Sequence, residues 1–368
     1  MNEKNLTNTG GGKLRSSNIE LYRIVCMLMI VAHHYVCNSG LTTDDGPMSL
    51  NPNSTNTYFL LLFGMWGKTG INCFLLITGY FMCKSQITVR KFIKLLLWIY
   101  LYKIAIFSVM LVGGYENLGV VRLAQLAMPV WGLNSNFTSC FLVFWLMIPF
   151  WNILVNNMSK RQHRMLLALL LLSYTLLGSI PKFHVSFNYV TWFGVIYLIS
   201  SYIRLYPSPL FGRKNLWGTI SIASVLLAMA SVAVMHRFAS GKDFFFVADS
   251  NKFFAVAVAV SSFLWFKSLN IRYVPIVNAI GGSTFGVLLI HANSDAMRQW
   301  LWGHMIDCVG HYQLAFPQLA SYSVASVLVI FFTCIIIDRI RIKLIEQNFF
   351  KWYDKFVPNM KKNKCQTI

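Results

Sequence analysis

Four ionisable side chains, Glu20, Arg23, His33 and His34, lie in one largely apolar stretch near the N-terminus, residues 15–38. The stretch is long enough to cross a bilayer, which takes roughly 20 residues. An ionisable group inside a membrane helix is costly, so its presence indicates a functional site. Histidine can exchange a proton near neutral pH, and arginine can hold an anion.

Their spacing places three of these residues on one helical face. Arg23 and His34 are eleven residues apart, which is close to three helical turns and about 16 Å along the axis. Glu20 precedes Arg23 by three residues and joins that face, whereas His33 points elsewhere. Arg23 or His34 alone would suggest a snorkelling arginine or a structural histidine of the bundle. All three on one face favour a functional role.

The composition is that of a membrane protein. Of the 368 residues, 56% are hydrophobic and only 12% are charged, so we expect one integral membrane domain. The formal net charge of +20 raises the alternative of a nucleic-acid partner. The basic residues are scattered among short loops, however, which is typical of membrane topology. We therefore expect no nucleic-acid partner.

Apolar segments of spanning length predict an all-α integral membrane protein with a bundle of about ten transmembrane helices. They cover residues 19–38, 59–82, 92–113, 137–156, 165–181, 188–206, 216–235, 253–269, 275–292 and 317–338. Of the 32 Lys and Arg residues, 23 lie in one alternate set of loops and tails or in the span ends that border them, six lie in the other set, and the remaining three lie inside spans. Cytoplasmic loops hold the excess of Lys and Arg, so both termini are expected in the cytoplasm.

Three regions follow from this division of the chain. Residues 1–18 are polar and predict a disordered cytoplasmic tail, residues 19–340 form the polytopic domain, and residues 341–368 form a basic cytoplasmic tail. The eight cysteines include no CxxC pair and no metal-ligand spacing. We therefore expect no metal site and no tightly bound cofactor.

The first span carries a family resemblance. An Arg followed after ten residues by His, with Glu three residues before the Arg, resembles the signature of the membrane acyltransferase 3 family, whose members acylate cell-surface sugars. Here these residues are Arg23, His34 and Glu20. The resemblance implies that the three are catalytic. His34 would act as the base, Arg23 would orient the donor or offset developing charge, and Glu20 would hold Arg23.

Other spans are similar to the family as well. The second ends in Thr78-Gly79-Tyr80, where the family has Ser-Gly-Phe or Ser-Gly-Tyr. The fourth carries Pro149 and Asn152, and the ninth carries a Ser-Thr-Phe-Gly run, residues 283–286, that leads to His291. The resemblance implies substrate-binding or donor-binding roles for four residues: Thr78, Gly79, Tyr80 and His291.

A basic loop after the second span allows two interpretations. Arg90, Lys91 and Lys94 lie at the start of the third span. Positive-inside bias and attraction to anionic headgroups would account for them without any ligand. The resemblance implies instead a clamp for the phosphates of an acyl-CoA, although lysine binds phosphate only as a point charge.

The resemblance implies a membrane-embedded O-acyltransferase of the bacterial cytoplasmic (inner) membrane. It would move an acyl group, expected to be acetyl, from cytoplasmic acyl-CoA to a hydroxyl of a cell-surface glycan or lipid-linked sugar. Acyl-CoA, that acceptor and membrane lipids are the expected partners. The alternative is a transporter or flippase for a sugar lipid or small anion, in which Arg23 and His34 bind cargo or relay protons. Against it, the two halves of the sequence show no internal repeat.

Overall fold

The chain folds into a bundle of helices. The computed structural model describes residues 16–133, 136–239 and 241–356. It is 77% helix, and the described residues contain no strand. The α-helices are α1 (Ser17–Cys37), α2 (Pro47–Leu50), α3 (Thr55–Gly64), α4 (Gly67–Met82), α5 (Val89–Val112), α6 (Val120–Ala127), α7 (Phe137–Asn157), α8 (Lys160–Leu170), α9 (Tyr189–Leu205), α10 (Lys214–Phe238), α11 (Phe253–Ser268), α12 (Pro275–His291), α13 (Asp295–Gln299), α14 (Phe316–Arg341) and α15 (Gln347–Phe356). Single π-helical segments extend three of them: Leu171–Leu176 after α8, Trp300–Met305 after α13 and Ile342–Glu346 after α14.

Helix α1 lies at the centre of the bundle. It packs against α3, α4, α11, α12 and α14. Twelve of its 21 residues are buried, including Glu20 and Tyr22. The hydroxyl of Tyr22 donates to the carbonyl of Ala259 in α11 at 3.1 Å. Because α1 is apolar over most of its surface, burial among other helices is its stable position.

Glycines on α3 and α4 allow this close packing against α1. A Cβ added at Gly67 would overlap the ring of His33, and one added at Gly70 would come within 2.8 Å of Ile30 Cγ1. Gly64 lies against α1 in the same way. Small residues let helices approach closely, and these three glycines do so between α1 and the helices of the second predicted span.

Six helical segments are long and apolar enough to cross a membrane. A seventh counts if the pair Pro275–His291 and Asp295–Gln313, bent by 96°, is one span. Other predicted spans coincide with shorter helices, such as α9 with 17 residues and α11 with 16. The structure therefore confirms an all-helical fold with several membrane-length helices, whereas the count of ten spans stays a prediction. The six segments of membrane-spanning length are Ser17–Cys37, Thr55–Met82, Val89–Val112, Phe137–Asn157, Lys214–Phe238 and Phe316–Phe356.

Both predicted tails overlap the described part of the chain. Residues 1–15 of the predicted disordered tail lie outside the described residues, and α1 already begins at Ser17. Of the predicted C-terminal tail, Arg341 is buried at the end of α14 and residues 342–356 continue as helix. Residues 357–368 again lie outside the described residues.

The helix ends lie at two sides of the bundle, which side-chain contacts identify. Side 1 is where α1 begins, and side 2 is where α1 ends. The Asn18 amide donates to three carbonyls at the end of α11, those of residues 266, 267 and 269, at 3.0–3.1 Å. The ends of α4 and α9 lie near Lys267, because Tyr80 contacts both Lys267 and Arg204. Helices α4, α9 and α11 therefore all end at side 1.

Candidate active site

Two histidines from distant parts of the sequence meet inside the bundle. Nδ1 of His34, near the end of α1, lies 2.9 Å from Nε2 of His291, the last residue of α12. The ring centroids are 5.0 Å apart. His291 has no exposed surface, and His34 is partly exposed. The pair thus consists of one fully enclosed ring and one ring with some exposed surface.

The hydrogen bonds set the tautomer of each ring. His291 Nδ1 lies 2.6 Å from the carbonyl oxygen of Val287, which only accepts, so Nδ1 carries the proton. In a neutral His291 ring, Nε2 is then an acceptor, and Nδ1 of His34 donates to it. Nε2 of His34 therefore keeps its lone pair. This arrangement suits a base that takes a proton at Nε2.

Small residues on α12 bring it close enough to α1 for this contact. A Cβ added at Gly281 would lie 2.5 Å from Oε2 of Glu20 and 3.0 Å from its backbone oxygen. On the opposite side of α12, a Cβ added at Gly286 would come within 2.9 Å of the Cβ of Asp338 in α14. Gly281 and Gly286 of the ninth predicted span thus serve close packing on two sides of α12.

Glu20 and Arg23 form an ion pair one turn into α1. Nε of Arg23 lies 3.7 Å from Oε2 of Glu20, whose side chain is 5% exposed. Arg23 remains 23% exposed. Since α1 is one continuous α-helix, His34 lies about 16 Å farther along the axis. Arg23 and His34 therefore lie near opposite ends of α1.

His33 bonds to a different helix from His34, as the helical spacing predicts, although their ring centroids are only 5.7 Å apart. Its Nδ1 lies 2.7 Å from the carbonyl oxygen of Gly64 at the end of α3, and it donates to that oxygen. The sulfur of Cys37 lies 3.5 Å from the same nitrogen. His33 thus links α1 to α3, whereas His34 links α1 to α12.

A cavity of about 510 Å³ opens at side 2, one turn beyond His34. Cys37 and Asn38 contribute to it from the end of α1, and Asp295 and Arg298 from α13. Arg298 donates to the carboxylate of Asp295. Their closeness to α1 depends on the 96° bend after α12, which no local sequence pattern encodes. Polar residues line most of this cavity: Asn38, Ser39, Thr43, Asp295, Arg298, Gln299 and His304.

The residues of the basic loop have protein partners at side 1. Arg90 forms two hydrogen bonds to Asp354 in α15, at 2.9 and 3.2 Å, and its guanidinium lies 4.4 Å from the ring centre of Phe350. Lys94 pairs with Glu346 at 2.5 Å. Lys91 donates to the Ser85 hydroxyl and the Gln86 carbonyl, each at 2.7 Å. A ligand phosphate would compete with two carboxylates here.

The structure separates the three residues at the end of the second span. Thr78 donates to the carbonyl of Phe74 at 3.1 Å within its own helix. Gly79 lies against Ser200, where a Cβ would overlap the hydroxyl. The hydroxyl of Tyr80 accepts from Nη1 of Arg204 at 2.9 Å. Of these three, Tyr80 faces a cavity.

A buried network of charged residues connects α5 with the end of α14. Asp338 accepts from Tyr102 at 2.8 Å and from Arg341 at 2.9 Å. Arg341 also donates to Glu346 at 2.8 Å, and Glu346 accepts from Lys94. Sequence reasoning counted Arg341 only as a tail charge. The spacing of Asp338 and Arg341, three residues apart at the end of an apolar segment, is the signal that marks the network.

No group of His, Cys, Asp and Glu residues in the described part of the chain could hold a metal ion. The family model described as an acyltransferase domain matches residues 16–337, which is most of the chain. That match includes both histidines and the Glu20–Arg23 pair. No curated protein and no solved structure matches the chain.

Proposed function

Because the chain belongs to the membrane acyltransferase 3 family, we propose that it transfers an acyl group, acetyl by expectation, from cytoplasmic acyl-CoA to a sugar hydroxyl. The acceptor is a glycan of the cell surface or a lipid-linked sugar, and the protein resides in the bacterial cytoplasmic membrane. An acyltransferase of this family is a membrane enzyme, which disfavours the alternative of a transporter or flippase.

The His34–His291 hydrogen bond is the observation that carries this proposal. Acyl transfer to a hydroxyl needs a base at the reacting oxygen. In the tautomer described above, Nε2 of His34 offers that base. His291 accepts from Nδ1 of His34, so it holds the ring in position and stabilises the imidazolium that forms.

The proposed reaction proceeds by direct transfer. Nε2 of His34 takes the proton of the acceptor hydroxyl while the oxygen attacks the thioester carbonyl. The tetrahedral intermediate collapses with cleavage of the carbon–sulfur bond. The leaving thiolate takes the proton back from His34, so the products are an ester and free CoA thiol.

Arg23 acts at a different point of the donor. About 16 Å of helix separates it from His34, so it does not stabilise the charge that develops at the thioester. Its position toward side 1 suits an anionic or polar part of the donor. Glu20 is buried and lies 3.7 Å from the guanidinium, which supports its role in orienting Arg23.

The donor enters from side 1, and the acceptor enters from side 2. We propose a topology of ten spans with both termini cytoplasmic, which makes side 1 the cytoplasmic side. The excess of Lys and Arg in alternate loops supports this orientation. The polar cavity at side 2 lies one turn from His34, within reach of a sugar from outside.

The basic loop contributes to donor binding at side 1. Arg90, Lys91 and Lys94 hold phosphates of the acyl-CoA, which then replace Asp354 and Glu346 as partners. The family resemblance also implies binding roles for Thr78, Gly79 and Tyr80. Tyr80 faces side 1, whereas Thr78 bonds within α4 and Gly79 packs against α9.

Purified protein incubated with acyl-CoA labelled in its acyl group tests the proposal. Addition of membrane glycolipid or glycan acceptor should move the label to the acceptor and release one free CoA thiol per transferred acyl group. A transporter would leave the thioester intact. Acyl-CoA that is neither hydrolysed nor transferred by well-folded protein, with any acceptor fraction, would exclude the enzyme.

A further inference from the structure

A small cavity at side 1 lies between the ends of α4, α9 and α11. Its volume is about 260 Å³. Three cationic side chains line it: Lys84 after α4, Arg204 in α9 and Lys267 in α11. No carboxylate lines it among the described residues. Tyr80 and Ser208 contribute hydroxyl groups.

Tyr80 lies between two of these cations. Its hydroxyl accepts from Nη1 of Arg204 at 2.9 Å, and the guanidinium lies 4.8 Å from its ring centre. Nζ of Lys267 lies 5.9 Å from the same ring centre. Gly79 permits this arrangement, because any side chain there would push α9 away. The position of Lys267 is fixed in turn by Asn18, which binds the carbonyls at the end of α11.

Helix dipoles offset only part of this positive charge. Each of the three helix ends supplies the equivalent of about half a negative charge. Three ends therefore offset about one and a half charges, which is less than the two lysines alone carry. The two lysines at the cavity differ from Lys94 in their partners. Lys94 lies on the same side of the bundle and pairs with Glu346 at 2.5 Å. No ion pair of Lys84 or Lys267 occurs among the described residues.

We propose that this cavity binds a phosphate group of an anionic ligand. Arg204 offers planar paired donors, the two lysines offer point charges, and Ser208 offers a hydroxyl donor. The volume lies below the roughly 300–1,000 Å³ of pockets that enclose a whole small molecule. The cavity therefore takes one phosphate or head group, and the rest of the ligand lies outside it.

Two sources supply such a phosphate at this side of the membrane. One is a phosphate of the CoA donor, and the other is the head group of an anionic phospholipid. The site is separate from Arg90 and Lys94, and its existence does not depend on acyl transfer. Binding can therefore be measured without turnover.

The test measures binding to the full-length protein, purified in an uncharged detergent. Free CoA and a short-chain phosphatidylglycerol are the two probes, titrated separately by microscale thermophoresis. Lys84→Gln/Lys267→Gln should weaken binding of at least one probe by about tenfold, because charged hydrogen bonds to phosphate are lost. Loss of CoA affinity identifies the donor as the source, and loss of phosphatidylglycerol affinity identifies the lipid.

Two further double variants serve as controls for the specificity of the effect. Lys160→Gln/Lys343→Gln removes the same charge from exposed positions outside the cavity and should leave both affinities unchanged. Lys84→Arg/Lys267→Arg keeps the charge and should keep binding. Should the glutamine pair not fold, Lys84→Gln alone, at an exposed position, should still weaken binding. Equal affinities in the cavity pair and the control pair would overturn the proposal, as would equal losses in the arginine and glutamine pairs.

Discussion

The position of one proton between His34 and His291 decides which nitrogen can act as a base. His291 donates from Nδ1 to Val287, so its Nε2 can only accept from His34. Because of these two hydrogen bonds, Nε2 of His34 is unprotonated and its lone pair can accept a proton. Neighbouring His33 has the same chemistry but donates to the backbone of α3. The two adjacent histidines should therefore differ sharply when mutated.

We expect His34→Ala to lower the rate of acyl transfer by about 10² to 10⁴, because removal of a general base costs about that much. The measurement is transfer of labelled acyl groups by membranes with equal amounts of inserted protein. His33→Ala is the matched control and should retain most activity. Equal losses from the two substitutions at normal expression would contradict the assignment of the base.

In the proposed mechanism His291 positions the ring of His34, and its substitution tests the tautomer argument. His291→Phe removes the acceptor of the His34 Nδ1 proton, which costs about 1–3 kcal/mol, or about fivefold to 150-fold in kcat. His291→Gln supplies an amide oxygen as a replacement acceptor and should recover part of the loss. The double variant with His34→Ala should be no slower than His34→Ala alone. Additive losses would show that His291 acts independently of His34.

At the scale of helices, the pairing of α1 with α12 is what brings the histidines together. Gly281 lies directly against Glu20, and Gly286 lies against Asp338 on the other face of α12. Helix α12 is thus held between α1 and α14 by positions that have no room for a side chain. The position of His291 depends on that spacing.

We expect Gly281→Ala to reduce both stability and activity. The added Cβ would lie 3.0 Å from the backbone oxygen of Glu20, so α12 has to shift, at a cost of about 1–3 kcal/mol. Alanine by itself favours helix over glycine by about 1 kcal/mol, so a lower Tm would report the clash. Gly212→Ala, with open space around the added Cβ, is the control and should leave Tm unchanged. A Tm of Gly281→Ala equal to the wild type would remove the packing argument.

The basic residues of the first turns of α5 allow a test by kinetics. Arg90→Ala/Lys91→Ala should raise the donor KM with little change in kcat, because binding is lost equally from ground and transition states. Arg90 is about half exposed, so added salt should raise the wild-type KM and do less to the variant. Arg161→Ala/Arg164→Ala, in the neighbouring predicted cytoplasmic loop, is the control. A donor KM that is unchanged and insensitive to salt would remove the loop from the site.

Helical periodicity predicted local relations in α1, and these are the parts that the structure reproduces. The Glu20–Arg23 contact and the different partners of His33 and His34 follow from positions within one helix. The His34–His291 bond joins residues 257 positions apart, and no local pattern encodes such a pairing. The buried Arg341 was counted as a tail charge, because a tally of basic residues does not distinguish solvated charges from paired ones.

At the scale of the whole molecule, orientation in the membrane decides which substrate meets which side. The net charge of +20 is distributed unevenly, with 23 Lys and Arg residues in one set of loops and tails and six in the other. Side 1 carries the richer set, since Lys84, Arg204 and Lys267 all lie there. If side 1 is cytoplasmic, acyl-CoA reaches the basic loop and the acceptor reaches the cavity near His34.

Cysteine labelling in intact cells tests this orientation. Asp44 and Lys160 are both exposed in the structure, so cysteines at these positions should be equally reactive once a reagent reaches them. A membrane-impermeant maleimide should label Asp44→Cys from outside but leave Lys160→Cys unlabelled until the cells are opened. The wild type provides the background from the native thiols, of which six of the seven described are buried. Labelling of Lys160→Cys from outside would reverse the topology, and the donor would then have to enter through the cavity at side 2.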